Sequence, residues 1–579
     1  MVYHYTDAQN AQILIALMKA HGIRKAVLSP GTTNVIFVGS VQQDPYFELY
    51  SSVDERSAAY MACGLAAESG EPVAISCTGA TASRNYLPGL TEAFYRRLPV
   101  LAITGSQPVS RIGHGFPQMI DRTNQLNDIS KMSINVPVIR CEEDRWSVET
   151  SINAALLELR HRGGGPVHIN LVSDFSRNFD VRELPAVRKI DRVCAGDSMP
   201  RIPEGRIAVF VGAHVPFTRQ LTDSIDVFCE KNDAVVLCDQ TSNYRGRYRV
   251  LANLLADQDQ YDSPLLDVDL LIHLGAISGS YMQVRPKRVW RVDPEGKIQD
   301  TFKKLDLVFE MEEQYFFDAC NNRKGPNSGN SYLTSIISEI DEIRGKVPEL
   351  PFSNIWCAQQ LSAALPEKCS IHFGILNSLR SWNFWETPST ANCFSNTGGF
   401  GIDGGVSALL GASLSDPDKF FFGVTGDLAF FYDMNSIGNR HVGTNLRLMV
   451  VNNGRGTEFR NYSHTAAGFG DDADLFMAAA GHFGCKSPDV LRHYAEDLGF
   501  EYMSASSKQD FLANIDRFVQ SESIDRPIIF EIFTDTQDES DALRKIRNLV
   551  ISPKGALKQA AKDVLGAKGA RAIKKLSGR

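Results

Sequence analysis

Two short stretches carry residue types that could hold a divalent cation. Thr425-Gly426-Asp427-Leu428-Ala429-Phe430 follows the apolar run 420–424, and Asn452-Asn453-Gly454-Arg455-Gly456 follows the apolar run 446–451. Each reads as a strand ending in a turn into a helix. The interval from Asp427 to Asn453 is what one helix and one strand of a βαβ unit occupy. In a parallel sheet both turns would stand at the carboxyl edge, where such sheets bind ligands. A carboxylate, an amide oxygen and a free backbone carbonyl converging there form a hard oxygen set. Such a set suits Mg2+ that keeps water and phosphate oxygens as further ligands, and helix N-termini would favour the same phosphates. Taken singly, Gly-Asp after a strand and Asn-Asn-Gly are also ordinary turn sequences. The pairing at this spacing is the informative feature.

The elements needed to position such turns recur along the whole chain. Apolar runs at 25–29, 47–53, 73–76, 100–104 and 165–171 read as strands, alternating with helical patterns such as 6–21, 54–66 and 85–96. A polar, irregular stretch at 175–199 suits a linker. Strands at 207–211, 234–238, 270–274, 289–292 and 305–309 make a second unit, and a third carries the two metal-type turns and a strand at 527–532. This alternation predicts an α/β protein of three doubly wound parallel-sheet domains. Expected boundaries are 1–180, 181–345 and 346–540, with a basic tail at 541–579 whose glycine-broken helical stretches read as a solvated terminus. Val211-Gly212-Ala213-His214 resembles the start of a nucleotide-binding turn without a full glycine fingerprint, so the middle unit reads as structural.

The totals narrow the function classes. A length of 579 residues allows three or four domains, and 43% apolar with 22% charged residues is ordinary for a soluble globular chain. A net charge of −8 argues against a general nucleic-acid partner. No apolar run approaches the ~20 residues of a membrane span, and the first residues lack the blocks of a signal peptide. The eleven cysteines are dispersed with no C-x-x-C pair, which fits reduced thiols and a cytoplasmic setting.

Gly426-Asp427 followed at this interval by Asn452-Asn453 resembles the thiamine diphosphate motif. Asp54-Glu55-Arg56, Thr78-Gly79-Ala80-Thr81, Asn85-Tyr86-Leu87-Pro88 and Gly165-Pro166-Val167-His168-Ile169-Asn170 are similar to the pyrimidine-binding domain of the same enzymes. The resemblance implies Mg2+ held by Asp427, the Asn453 side chain and the Arg455 carbonyl. It implies a cofactor set of Glu55, Asn377, Ser378, Gly401, Ile402, Gly426, Asp427, Leu428, Ala429, Asn453 and Arg455. On local sequence Glu55 is a helix N-terminal carboxylate stabilised by the helix dipole. The resemblance makes it the acid that hydrogen-bonds the aminopyrimidine ring nitrogen and moves its proton. Ile402 becomes the apolar wedge that holds the cofactor bent, and Gln118 faces the thiazolium.

Within that family the chain is similar, from about residue 6 to 540, to the menaquinone-pathway SEPHCHC synthases. These decarboxylate 2-oxoglutarate and add the carbanion to isochorismate. Positions where those enzymes use arginines for two dicarboxylates differ: Thr32-Thr33, Ser106-Gln107-Pro108, Asn396-Thr397-Gly398, Trp382 and Ser280-Tyr281. Bidentate arginine–carboxylate contacts have no equivalent in these side chains. The expectation is a thiamine diphosphate- and Mg2+-dependent enzyme acting on a different 2-oxo acid. It would either ligate the acyl carbanion to an acceptor carbonyl compound or release an aldehyde. A non-catalytic cofactor-binding scaffold and a flavin-dependent oxidase are the readings of other classes. Arg84, Arg111, His114 and Arg122 are alternative cations for a different acid. Family geometry implies a homodimer or homotetramer.

Overall fold

In the computed structural model residues 4–122, 125–280, 282–323, 329–520, 525–553 and 555 are described. Tyr281 and almost all of 554–579 lie outside the described residues; the start of the expected tail at 541 instead falls within the helix Thr536–Ile546, where Ala542, Leu543 and Ile546 are buried. Three sheets of six, seven and six strands carry the fold. Strand pairing within them is parallel, as at Val73–Cys77 with Val100–Ser106, or Phe421–Gly426 with Leu446–Asn452. The α/β, doubly wound architecture expected from the alternation is therefore observed. The chain folds into two compact units, 1–197 with 293–310, and 198–292 with 311–579.

The first unit contains a sheet in the order Glu48–Ser51, Lys25–Leu28, Val73–Cys77, Val100–Ser106, Val167–Val172, Met132–Val136. The central strands are buried at every residue because helices cover both faces. One face packs Ile13, Leu14, Leu17, Phe37 and Ile152, and the other packs Ala58, Ala62, Tyr86 and Leu90. The stretch expected to be a linker contains a short strand, Asp191–Cys194, paired with Leu305–Glu310. Its short, largely polar sequence concealed it.

The second unit contains strands Arg249–Leu251, Val235–Cys238, Ile207–Val211, Asp267–Leu274 and Arg285–Val292 in that spatial order. Its other sheet runs Asn392–Ser395, Ser370–Phe373, Phe421–Gly426, Leu446–Asn452, Ile528–Phe533, Glu501–Ala505. Numbered by chain order, this sheet and the first both read 2-1-3-4-6-5. Each reverses direction of winding between its first and third strands, the position at which open α/β sheets bind ligands.

Candidate functional site

In the second unit that reversal lies between Ser370–Phe373 and Phe421–Gly426. Asp427 is the first residue of a short helix, Asp427–Tyr432, and follows Gly426, which pairs with Val451 across the sheet. This register puts the second turn, Asn452 to Gly454, beside the first. Asp427 is 3% exposed. Burial pushes its carboxyl up to about 7, against the pull of the backbone N–H groups of Leu428, Asp427 and Gly454.

The two asparagines differ in role. Asn452 donates to Glu531 Oε1 (2.7 Å) and accepts from the Gly454 N–H (3.2 Å). Glu531, fully buried, also accepts from the Tyr502 hydroxyl (2.7 Å), and burial holds its carboxyl above the usual range. Asn453 Oδ1 is buried and has no hydrogen-bond partner among the described residues. An orphaned amide oxygen beside a desolvated carboxyl is a donor pair that a hard cation would satisfy. Gly454 has φ +73°, and a Cβ there would meet Cys485 Sγ at 2.5 Å, so the turn requires glycine. The Arg455 guanidinium is paired with Asp474 (2.5 Å), which leaves its backbone rather than its side chain to the turn. No cluster of three His, Cys, Asp or Glu suited to a metal exists among the described residues, so one carboxylate with neutral oxygens is the candidate ligand chemistry here.

Asn377 begins the helix Asn377–Trp382 after Ser370–Phe373. Its Oδ1 accepts from Arg380 Nη1 and Asn461 Nδ2 (3.1 Å each). Ser378 is buried. Arg380 is also held bidentately by Glu458 (2.8 and 3.0 Å), and Trp382 is fully buried in the core. Gly401 and Ile402 lie on an irregular loop with Ile402 38% exposed. A large aliphatic side chain left open at a glycine-rich loop is what a wedge would look like before it meets a ligand. Leu428 and Ala429 form the first turn after Asp427.

The nucleotide-like turn of the middle strands is closed by the chain itself. The N–H groups of Gly212, Ala213 and His214 donate to the carbonyls of Leu274, Ala276 and Thr241. None of the three remains to cradle a phosphate.

In the first unit Glu55 is the first residue of the helix Glu55–Ser69, capped by Asp54, whose carboxylate accepts from the Ser57 N–H (2.7 Å). Glu55 is half-buried, and its Oε2 accepts from Asn85 Nδ2 at 3.4 Å. Asn85 belongs to the Asn-Tyr-Leu-Pro motif, whose contact with the glutamate no local pattern could have revealed. Thr33 is engaged by Thr78 Oγ1 (2.7 Å) and by the Gly79 N–H (3.0 Å). Gln118 is exposed with φ +58°, and a Cβ on Gly79 would lie 3.4 Å from its carbonyl oxygen.

The structure separates the four candidate cations. Arg111 is committed to Gln107 Oε1 (2.7 Å) and to the Phe116 ring, and Arg84 donates to the Asp121 carbonyl at the surface. His114 is exposed. Arg122 alone of the four is buried.

Residues 9–126 match the family described as "Thiamine pyrophosphate enzyme, N-terminal TPP binding domain". The chain is 29% identical over 581 residues, covering 93% of it and 98% of the relative, to the 2-succinyl-5-enolpyruvyl-6-hydroxy-3-cyclohexene-1-carboxylate synthase of Bacteroides thetaiotaomicron. It is 30% identical over 568 residues, with the same coverage, to the synthase of that name from Bacteroides fragilis. The one from Porphyromonas gingivalis is 26% identical over 93% of this chain and 97% of its own. No helix among the described residues is long and apolar enough to cross a membrane.

Proposed function

With 30% identity along 93% of its length to one such enzyme, the chain belongs to the thiamine pyrophosphate enzyme family, and from that premise we propose that it decarboxylates a 2-oxo acid and passes the acyl carbanion to an acceptor carbonyl. The reading is a carboligation of the SEPHCHC-synthase kind with a changed substrate pair, carried out with Mg2+ by a cytoplasmic homodimer or homotetramer. The observation that carries it is the pairing of desolvated Asp427 with the partnerless Asn453 Oδ1 at the winding reversal of the last sheet.

Bound thiamine diphosphate would supply the electron sink for cleaving the bond between the carboxyl and keto carbons. The residues do the rest. Asp427, Asn453 Oδ1 and the Arg455 carbonyl would hold the metal that anchors the diphosphate, with Asn377, Ser378, Gly426, Leu428 and Ala429 around it. Glu55, oriented by Asn85, would hold a proton at the pyrimidine ring nitrogen. Ile402 would fix the conformation, Gly401 would let the backbone approach, and Gln118 would face the reacting ring.

The changed substrate pair rests on side chains that offer dianions no free cation. Thr33 is bonded to Thr78, Arg380 is neutralised by Glu458, and Trp382 is inside the core. Ser280 accepts from Asn253 (2.8 Å) and carries no charge. The test is incubation with candidate 2-oxo acids, with and without an aldehyde or ketone. A ligated product is the expected result, and free aldehyde alone would replace ligation by simple decarboxylation. A Glu55→Gln variant should lose at least ~100-fold in turnover, the usual scale for an acid–base group. Unchanged turnover would remove the role given to that carboxyl, and a wild-type protein without turnover that still binds the cofactor would be the scaffold.

A further inference from the structure

The first unit contains a pocket of about 110 Å³ beside the carboxyl end of the strand Val100–Ser106. Ser106 closes the strand Val100–Ser106, and Asn135 and Asn170 come from the two strands beyond it. The charged residue that lines it is Arg122, 5% exposed. Its Nη2 donates to the Gly105 carbonyl (3.1 Å). Nε and Nη1 are buried and have no partner among the described residues. Burial, together with the like charge of Arg84, brings its pKa down to about 10, so it remains a cation at neutral pH. His168, behind Asn170, is fully buried between Thr104 Oγ1 and Ser133 Oγ (2.8 Å each), and burial pushes it down to about 3. It contributes no charge.

A guanidinium taken out of water without a counter-ion is strongly unfavourable, and removing the charge is normally the cheaper arrangement. Its retention beside a polar cavity points to an anion that arrives from outside. The volume is that of three or four waters, enough to seat a carboxylate and one or two carbons beside the exposed Val109, and the single guanidinium that faces it matches the charge of one carboxylate. The location is informative. A Cβ built on Gly79 would lie 3.7 Å from Arg122 Nη1 and 3.4 Å from the Gln118 carbonyl. The turn that sets Gln118 therefore also touches the guanidinium. The Ser106 hydroxyl is taken by the Gln107 carbonyl (3.2 Å) and that of Ser133 by His168, so the amide N–H groups of Asn135 and Asn170 are the neighbours that can complete the coordination of carboxylate oxygens.

We propose that Arg122 and this cavity bind the carboxylate of a small monocarboxylic acid used by the enzyme, and so define its substrate class. Naming that ligand a substrate rests on the proposed function; the binding itself does not.

The full-length protein, with and without thiamine diphosphate and Mg2+, is titrated with acetate, pyruvate, 2-oxoglutarate and inorganic phosphate at constant ionic strength, by calorimetry and thermal shift. Acetate and pyruvate should bind wild type and raise its Tm, with 2-oxoglutarate and phosphate no tighter. Arg122→Gln should weaken both monocarboxylates at least tenfold without lowering the Tm of the ligand-free protein, and Arg122→Lys should recover part of the affinity. In turnover, Arg122→Gln should raise KM for the acid at least tenfold and leave thiamine diphosphate affinity as it was. Equal binding to Arg122→Gln and wild type would overturn the proposal, as would wild type that responds to none of the acids. Should Arg122→Gln not fold, the Arg122→Lys titration decides on the same criterion. A protein that binds pyruvate through Arg122 yet turns over no 2-oxo acid would instead sink the proposed function and leave this site standing.

Discussion

Asn452 and Asn453 are adjacent and chemically identical, yet one has its amide engaged and the other has its oxygen buried and idle. Their alanine variants should therefore diverge. Asn452→Ala removes a hydrogen bond to the fully buried Glu531 and should destabilise the fold by roughly 1–3 kcal/mol in urea unfolding. Asn453→Ala removes an acceptor that already lacks a partner, so the ligand-free protein should keep its stability. Its affinity for thiamine diphosphate with Mg2+ should fall at least ~10-fold, the scale seen even for residues behind a metal ligand. An Asn453→Ala protein with undiminished affinity would reassign that oxygen. The carboxyl beside it gives a second reading of the same site. Burial holds Asp427 up to about 7 while the site is empty, and a bound cation requires it ionised. Below pH 7, loading should thus release a proton, and affinity should strengthen as pH rises towards 7 and level beyond it. Calorimetry at pH 6 in buffers of different ionisation heats checks this; identical heats in all buffers would contradict it.

Among the elements, the helix Thr536–Ile546 shows how burial writes a pH dependence into the fold. Glu539 is 7% exposed, accepts from the Asn354 N–H (2.9 Å), and is pushed up to about 7 by burial. Its folded pKa lies above the unfolded value of about 4.3. The stability it contributes is complete below that value and is lost as pH rises through about 7. Over that window wild type should lose up to about 3 kcal/mol more than Glu539→Gln, which cannot ionise. Urea midpoints at pH 5 and pH 8 for both proteins test the difference, and parallel pH profiles would show that the carboxyl stays hydrated. Elements also decided what could be read from residue order. Val73–Cys77 and Leu446–Asn452 are buried throughout and announce themselves as apolar runs. Met132–Val136, Asn392–Ser395 and Glu501–Ala505 are outer strands, buried less completely than the inner ones, and their mixed polarity hid them. The paired turns at Asp427 and Asn453 were legible because their spacing encodes a βαβ unit. The burial of Arg122 was not, since nothing in its local sequence distinguishes it from Arg84 or Arg111.

At the scale of the molecule, the two six-stranded sheets share one winding, and each offers a separate half of the proposed chemistry: Glu55 in one, Asp427 and Asn453 in the other. If the cofactor bridges the first sheet of one subunit and the last sheet of its partner, as the family resemblance implies, then inactive variants can repair one another. A heterodimer of Glu55→Gln and Asp427→Ala chains would contain one site with both lesions and one site with none. After dissociation and random reassortment, half of the dimers are mixed, so activity should return to about a quarter of wild type. Neither parent alone should exceed background, and the recovered activity should follow subunit exchange in time. A site built from one chain makes the opposite prediction, because every site in every mixture then keeps a lesion. Mixed samples that exchange subunits, as followed by mass spectrometry, yet stay inactive would assign Glu55 and Asp427 to the same chain's site and remove the need for a dimer in catalysis.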